Sequence, residues 1–482
     1  MKKYNLTLMT LVAALVLAGC STTKPPEQVE MKLPTQYREL AADSTELDGH
    51  WKPAQPADGS DRGTWWAIFG DAKLNGLITQ ATQSSPTLVM AMARVKDARA
   101  TAGLADADRA FQLGAGFGPT RQGNASSTST QWQAQLTASY EVDLFGRLSD
   151  NSRAAQLDVQ AQEAAYRSVL LALQADVAQQ YFSIRSLDSE LDVLQQTIVL
   201  RQEALRLVEH RYKEGDISEL DVAQAKTELA SAQAEQEGVE RNRSLHDHAL
   251  AILLGKAPAQ FSLSTSPITA VTINIPAGLP SDLLERRPDI AQAQRQLAAA
   301  SARIGVAKAA FFPSLVLTAS GGVESDALHN LFKWSSRSWL LGPLVGSILN
   351  LPILDGGRNK ANLARADANY ENMVANYRQQ VLVGFQDVED NLSSLRTLDN
   401  QIRYQEQAVN AAELATRLAN ARYRNGSTSY IEVIDAQRSS LATQRAKSQT
   451  VGLRALTSVG LIRALGGGWS DDGKDVAAVA LK

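Results

Sequence analysis

The chain has few of the residues on which many enzymes and nucleic-acid-binding proteins depend. It contains a single cysteine among 482 residues, so no intramolecular disulfide can form. Its five histidines are scattered, and His246 and His248 lie two positions apart on a predicted helix, where they face different sides. A histidine metal cluster is therefore not expected. The net charge of −3 argues against a nucleic-acid partner. Past the N-terminus no apolar run approaches the ~20 residues of a membrane-spanning helix, which excludes a helical membrane protein.

The position of the one cysteine is informative. Lys2 and Lys3 precede an apolar run over residues 8–18, and LAGC occupies residues 17–20. A basic start followed by a short apolar run predicts a signal peptide over residues 1–19. LAGC resembles the bacterial lipobox, whose cysteine is acylated and becomes the first residue of the mature protein. The alternative is an uncleaved anchor with a buried cysteine.

The lipobox resemblance implies that Cys20 carries diacylglycerol and a fatty acyl chain, and no other cofactor is expected. Ser21 follows it, where an aspartate would resemble an inner-membrane retention signal, so the outer membrane is favoured. Residues 20–64 contain five prolines among polar residues. This composition predicts an extended tether behind the lipid anchor.

The clearest periodic pattern runs from Gln131 to Leu144, with the sequence QWQAQLTASYEVDL. Apolar and polar residues alternate strictly over these positions, which predicts a β-strand with one apolar and one polar face. Its length suits a tilted membrane-spanning strand of ~9–11 residues, with an ordinary half-buried strand as the alternative. A glycine-rich alternating stretch precedes it, and residues 121–130 form a polar loop. Together they predict a β-hairpin at about 113–145.

Helical patterns fill the rest of the first half, with helices predicted at about 86–110, 148–212 and 216–254. Apolar residues of the long helix follow heptad spacing, which indicates coiled-coil packing, and Arg201 fills the one polar position. This predicted seam consists of Leu187, Leu191, Leu194, Ile198, Leu205, Val208 and Tyr212. The next helix has a seam of small residues that permits close helix approach, namely Ala223, Ala230, Ala234 and Gly238.

The chain then repeats this plan. Gly146 and Gly357, Gly215 and Gly426, and the Leu-Gly pairs at 254–255 and 465–466 are each 211 residues apart. An internal duplication follows, with repeat 1 at 65–255, a linker at 256–285 and repeat 2 at 286–469. Repeat 2 is predicted to contain helices at about 286–311, 359–424 and 428–465. Its hairpin is predicted at about 313–354, with a loop over 321–338 and a poorer second strand. Residues 470–482 form a polar tail.

Two hairpins give each chain four strands, which cannot close a barrel. Open strand edges are not tolerated in lipid, so the chain is expected to assemble with copies of itself in a cyclic oligomer. The helix at 148–212 is about 100 Å long at 1.5 Å per residue, and the two shorter helices of its repeat stacked end to end match it. These lengths predict a long helical barrel attached to a β-barrel.

Four motifs now point to a family. LPSDLLERRPDI (279–290), IGVAKAAFFPS (304–314), DLFGR (143–147) and ALGGGW (464–469) resemble the TolC/OprM-like outer membrane factors, over about Trp65 to Trp469. The resemblance implies an α+β membrane protein in the cell outer membrane. It implies a homotrimer whose twelve-stranded β-barrel, four strands per chain, continues into a periplasmic α-helical coiled-coil barrel.

Such channels are exit ducts of tripartite efflux pumps or of type I secretion systems, and the lipobox together with LPSDLLERRPDI favours the drug and metal efflux branch. The implied partners are outer-membrane lipid, a periplasmic adaptor protein and an inner-membrane pump of the RND type. The cargo stays open between antibiotics, dyes, fatty acids and metal cations. Two other classes of protein account for fewer features of the sequence. A lipid-anchored, cell-wall-active enzyme would not explain the duplicated hairpins, and a structural coiled-coil lipoprotein would not need the strand at Gln131. No nucleophile–base pair or phosphate loop indicates catalysis.

The resemblance also implies functional positions at the two helix turns. In the family these turns, here 212–220 and 423–431, form the periplasmic entrance and meet the adaptor. Gly215 and Gly426 supply the permissive backbone for the reversal. The alternative is a plain turn without a partner.

The predicted gate lies just beyond the second turn. Ile431 and Asp435 share one helix face, and by resemblance three copies of Ile431 form a dry ring and three of Asp435 a negative one. Arg422 and Tyr423 are expected to hold the closed ring. The first repeat offers two further gate positions, since an aliphatic residue recurs at Leu220 and the nearest acid is Asp221. The alternative for Asp435 is a solvated surface residue.

Overall fold

The computed structural model describes residues 37–39, 63–124, 126–268, 286–341 and 349–467. The predicted signal peptide, Cys20, most of the tether, residues 269–285 of the linker and the tail at 470–482 lie outside the described residues. The chain divides into two compact units. The first contains Met92–Ala165 and Asp289–Gln380, and the second contains Tyr166–Pro288, Val381–Lys482 and Lys32–Ala91, each as far as described.

The helices follow the duplication residue by residue. In the first repeat they are α1 (Ala72–Ser84), α2 (Pro86–Ala107), α3 (Arg147–Lys213) and α4 (Glu219–Leu253). In the second they are α5 (Pro288–Ala309), α6 (Arg358–Arg424) and α7 (Tyr430–Ala464). Helices α3 and α6 have 67 residues each, and α4 and α7 have 35 each. Both ends of α3 and α6, and both ends of α4 and α7, are 211 residues apart, whereas both ends of α2 and α5 are 202 residues apart. The repeat seen in the sequence is therefore also present in the boundaries of the helices.

Several helix ends differ from the predicted ones by two or three residues. The start of α4 is Glu219 rather than 216, because Ser218 and Asp221 form a capping box that fixes the first turn. The start of α7 is Tyr430 rather than 428. Helix α2 ends at Ala107 rather than 110, and α5 ends at Ala309 rather than 311. Proline occupies the first position of both α2 and α5, where its missing N–H costs nothing.

The strands form one antiparallel sheet. They are β1 (Gln112–Gly123), β2 (Thr128–Val142), β3 (Ser314–Ser325), β4 (Arg337–Leu341) and β5 (Leu349–Asn350). The order is β1-β2-β3-β4, and β5 pairs with β3 as β4 does. The described parts of the predicted fourth strand are thus β4 and β5, with residues 342–348 between them not described.

The loops predicted for the two hairpins are longer than the loops in the structure. β1 continues to Gly123 and β2 begins at Thr128, and β3 continues to Ser325, well inside the loop predicted over 321–338. Glycine and serine argued against a strand there, but pairing with β2 overrides this preference. Gly322 lies opposite Gln135, where an added Cβ would come within 2.1 Å of the Ala134 carbonyl oxygen. Gly322 therefore permits close approach of the two strands and does not end β3.

The register gives the sheet an apolar and a polar face. Leu136 pairs with Ala115 on one side and Gly321 on the other, and Tyr140 pairs with Leu317. The neighbouring positions pair Thr137 with Ser320. On the apolar face the large side chains are exposed to a degree unusual for a soluble sheet, and they include Leu113, Phe117, Leu136, Leu317 and Trp339.

Each unit has its own packing. In the second unit a core of aromatic and aliphatic side chains centres on Trp65, Phe69, Phe182 and Ile184. In the first unit alanines pack closely, with Ala102 and Ala105 of α2 against Ala155 of α3. No helix of the described residues is long and apolar enough to cross a membrane.

Candidate functional site at the helix turns

Both long helices end in the same backbone motif. The Gly215 N–H donates to the Tyr212 carbonyl and the Asp216 N–H to the Arg211 carbonyl, both at 3.0 Å. Gly426 and Ser427 make the equivalent bonds to the carbonyls of Tyr423 and Arg422. This is a Schellman ending, in which the glycine adopts positive φ, here +86° at Gly215 and +71° at Gly426. Nothing lies within 4 Å of an added Cβ at either glycine, so the backbone conformation and not crowding requires them.

The structure places the predicted gate residues Ile431 and Asp435 on the first turns of α7. Both are exposed in the single chain, Ile431 by 43% and the Asp435 side chain by 68%. A nearby cation is Arg438, whose Nη1 lies 3.9 Å from Asp435 Oδ1 one turn along. Such an exposed pair adds little stability, so Asp435 is available to other contacts.

Arg422 and Tyr423, expected to hold the gate, lie in different surroundings. Arg422 is exposed, and its Nη1 lies 3.9 Å from Glu432 Oε2 rather than beside Asp435. Tyr423 is buried with Tyr430 at a ring-centroid distance of 5.3 Å. The Arg211 guanidinium stacks 5.0 Å from the centroid of the Tyr423 ring and donates to the Tyr423 carbonyl. These two tyrosines and Arg211 therefore join the two helix turns of one chain.

The surroundings of the two tyrosines keep their phenols neutral. Burial raises the pKa of Tyr423, although Arg211 opposes the shift. Burial also raises the pKa of Tyr430 to about 12, with the neighbouring Tyr423 adding to it. No ionisation of this pair is expected at physiological pH.

At the first turn the two predicted positions differ in character. Leu220 is 64% exposed, whereas Asp221 accepts a bond from the Ser218 N–H at 3.2 Å and contacts its hydroxyl at 3.1 Å. Asp221 thus caps its own helix, in addition to any part in an acidic ring. The Ser218-x-x-Asp221 spacing was a readable signal of this cap.

The sequence did not predict two ion-pair clusters that hold α7 against α3 and α4. In the first, Glu228 of α4 binds Arg201 of α3, with 2.9 Å between Nη2 and Oε2, and Arg438 of α7, with 3.0 Å between Nε and Oε1. In the second, Arg445 of α7 donates to Glu190 at 2.8 Å and to Glu235 at 2.7 Å. Arg201 was visible as the one polar residue in an apolar heptad seam, and a residue of that kind demands a buried partner.

The ion pair between Arg201 and Glu228, in the first cluster, is buried. The Arg201 and Glu228 side chains are only 5% and 8% exposed. Burial lowers the pKa of the Arg201 guanidinium, and the Glu228 carboxylate opposes that change. Each of the two buried charges therefore stabilises the charged form of the other. Among the described residues no group of three or more His, Cys, Asp or Glu side chains has the arrangement of a metal site.

Comparison with known proteins gives a consistent result. The model of the family described as "Outer membrane efflux protein" matches residues 77–256 and 279–467. Among curated proteins, the chain is similar to the cation efflux system protein CusC of Escherichia coli, with 33% identity over 468 residues, which is 96% of this chain and 98% of CusC. It is similarly related to the probable outer membrane lipoprotein SilC of Salmonella typhimurium, with 33% identity over 473 residues, covering 97% and 99% of the two chains.

A solved structure shows the same similarity in three dimensions. The crystal structure of a membrane protein from Pseudomonas aeruginosa superposes with a TM-score of 0.84 and 33% sequence identity. The match covers 95% of this chain and 99% of that one.

Proposed function

The chain belongs to the outer membrane efflux protein family, and from that premise we propose that three copies of it form the outer-membrane exit duct of a tripartite efflux pump. As a member of this family it is an efflux channel of the outer membrane and not an enzyme. The proposed duct conducts its cargo passively, and the pump supplies the energy.

The main support for this proposal is the sheet, which has one apolar and one polar face. Its apolar face is exposed in the single chain and suits contact with lipid, whereas its polar face suits a water-filled lumen. Among the described residues β1 pairs with β2 alone, and β4 and β5 pair with β3 alone, so the sheet has two open edges. A membrane tolerates no open strand edge. With β4 and β5 counted as parts of one strand, each copy contributes four strands, and three copies close a barrel of twelve strands.

The helical part gives the remainder of the duct. We assign helices α2 to α7 to a periplasmic coiled-coil barrel. The 67 residues of α3 and of α6 make these helices long enough for such a barrel. The turns at Gly215 and Gly426 form its entrance and meet a periplasmic adaptor protein. Three copies of Ile431 and Asp435 close that entrance. The inner-membrane partner in this proposal is a pump of the RND type.

The proposal also includes the membrane anchor and the cargo. Acylation of Cys20 with diacylglycerol and a fatty acyl chain fixes the N-terminus in the outer membrane, and the name of SilC as a probable outer membrane lipoprotein supports this assignment. The name of CusC as a cation efflux protein makes metal cations a first cargo to test beside organic antibiotics.

A matched pair of lysine substitutions tests the assignment of the two faces. Leu136→Lys places a charge on the apolar face, which costs about 2–4 kcal/mol in mid-membrane for each copy. Gln133→Lys places the same charge on the polar face. In cells whose own channel gene is deleted, Gln133→Lys is expected to restore resistance to antibiotics or metal cations and to co-purify the adaptor, while Leu136→Lys is expected to be lost from the outer membrane. Equal insertion of both variants would contradict the barrel.

A further inference from the structure

Helices α2, α3, α5 and α6 all connect to one end of the sheet. Helices α2 and α5 lead into the starts of β1 and β3, and β2 and β5 lead into α3 and α6. Because the strands pair antiparallel, these connections share one end. The opposite end carries the turn between β1 and β2 and the segment 326–336 between β3 and β4. Under the proposed function the helices lie in the periplasm, so this opposite end, the outer end, lies at the outer leaflet of the membrane.

Two arginines lie on the apolar face of the sheet at the outer end. Arg337 begins β4 and pairs with Val323, in the row of the register that contains Phe117. Arg121 lies on the same face, because it follows Phe117 on β1 by two full alternations of the strand. The face that suits lipid therefore ends in two cations.

Neither arginine has a counter-charge among the described residues. No ion pair forms at Arg121 or Arg337 in that part of the chain, and the same holds for Lys333 in the segment 326–336. At the end of the sheet nearer the helices the situation differs, since Arg147 Nη2 donates to both carboxylate oxygens of Glu141 at 2.8 Å. The cations of the outer end are thus open to an anion from outside the chain.

The two acidic residues described at the outer end lie apart from these cations. Glu324 is on the polar face of β3, where it accepts a hydrogen bond from the Gln131 amide. Asp326, just past β3, accepts one from the Ser325 hydroxyl at 3.3 Å. The described apolar face of the outer end therefore carries positive charge, which suits an anionic group.

Exposed tryptophans accompany Arg337. Its guanidinium carbon lies 3.2 Å from the centroid of the Trp334 ring, which is 77% exposed. Trp339 follows on the same face of β4 and is 78% exposed. Tryptophan is typical of the border between the acyl chains and the head groups of a membrane. A guanidinium stacked by its face on a ring keeps its in-plane N–H donors available for an oxyanion.

The depth of Arg337 also suits the head-group layer. Its row crosses β2 at Ala134, and the row nearest the helices crosses β2 at Val142. At about 3.4 Å per residue and a strand tilt of about 40°, these rows are about 21 Å apart along the membrane normal. The apolar band of an outer-membrane barrel is about 25 Å tall, so the long Arg337 side chain can extend to the phosphates at its border.

We propose that Arg337 of one copy and the partner subunit's Arg121 bind the phosphate groups of lipopolysaccharide, the phosphorylated glycolipid of the outer leaflet. In the closed barrel β4 of one copy lies beside β1 of the next, because these two strands are at the open edges of the single sheet. Two arginines at each seam suit a lipid with two phosphates, whereas a glycerophospholipid such as phosphatidylglycerol offers one. Trp334 and Trp339 pack against the sugar rings and acyl chains. The inference rests on the proposed function, which sets the orientation of the sheet and joins the copies.

Lipid binding to the full-length trimer in detergent tests this site, with the bound lipids counted by native mass spectrometry. The probes are lipid A with both phosphates, lipid A with neither phosphate, and phosphatidylglycerol. The unsubstituted trimer is expected to bind the first probe at each seam. It is expected to bind the other two about tenfold more weakly, because charge-assisted hydrogen bonds to phosphate are lost.

Substitutions of the arginines locate the binding. Arg337→Gln and Arg121→Gln are each expected to weaken the binding of phosphorylated lipid A by about tenfold. Arg337→Lys is expected to weaken it by less, because lysine keeps the charge and loses the planar, stacked fork. Lys360→Gln removes the same charge from an exposed position on α6 and is expected to leave the binding unchanged. Should Arg337→Gln form no trimers, Arg337→Lys supplies the comparison.

The outcomes separate this site from the proposed function. Equal affinity for lipid A with and without phosphates, or unchanged affinity in all three arginine variants, would overturn the site. Phosphatidylglycerol bound as tightly as phosphorylated lipid A would overturn the assignment to the glycolipid. Unsubstituted trimers that conduct in planar bilayers without this lipid preference would leave the proposed function standing, whereas a protein that forms no conducting trimer would overturn both.

Discussion

Glu228 is the residue whose loss should reveal most about the packing of the helices. Its carboxylate is buried between Arg201 and Arg438. Glu228→Gln keeps the shape and removes the charge, which leaves the Arg201 guanidinium buried and without a counter-charge. Removing one partner of a buried pair typically costs about 3–5 kcal/mol. The exposed Arg438, at 57%, adds nothing to that figure because solvent screens it.

The assay is urea unfolding of the purified protein in detergent, followed by its helical circular dichroism. With a slope of about 3 kcal/mol per M, the loss corresponds to a midpoint lowered by about 1 M or more. Ser439→Ala, at the position related by the repeat, should change the free energy of unfolding by less than about 0.5 kcal/mol. Arg201→Met with Glu228→Met should recover most of the stability, because an apolar pair needs no counter-charge. A double variant less stable than Glu228→Gln would refute this reasoning.

Four other variants give distinct outcomes. Ile431→Ala with Asp435→Ala should raise the resting conductance in planar bilayers and weaken block by multivalent cations, and an unchanged closed state would place the gate elsewhere. Gly426→Leu forces a side chain into positive φ at a cost of order 1 kcal/mol or more and should abolish efflux while trimers persist on gels; normal efflux would contradict a docking role. Gly452→Ala would place a Cβ atom 2.5 Å from the Cβ atom of Ser186 on α3. The free energy of unfolding in urea is therefore expected to fall by about 1–3 kcal/mol. An unchanged urea midpoint would argue against this close approach of the two helices. Cys20→Ser should lower the yield and still give trimeric channels, because the barrel holds the protein in lipid; complete loss of outer-membrane trimers would show that the anchor is essential.

The sequence predicted those features that depend on local pattern and on self-comparison. Strict alternation identified β2, and the 211-residue spacing predicted that α6 would repeat α3. Glycine at 215 and 426 marked the helix ends, because positive φ requires that residue type. The alternation and the two glycines are signals contained within a few turns of chain, and the repeat needs only a comparison of the chain with itself.

The sequence could not predict the contacts between distant segments. Glu190 and Arg445 are far apart in the chain, and a charge on a helix is more often solvated than buried. The extension of β3 to Ser325 was missed for a related reason, since pairing with β2 stabilises a glycine-rich segment that has little strand preference of its own. Arg201 was the one local sign of the buried charges, and its partners became visible only in the fold.

The number of copies in one conducting particle tests the central claim most directly. Protein extracted from outer membranes, shown to conduct in planar bilayers and then weighed by native mass spectrometry, is expected to contain three chains of the same sequence. A conducting particle of one chain would contradict the account, because the sheet that the described residues of one chain form has two open edges.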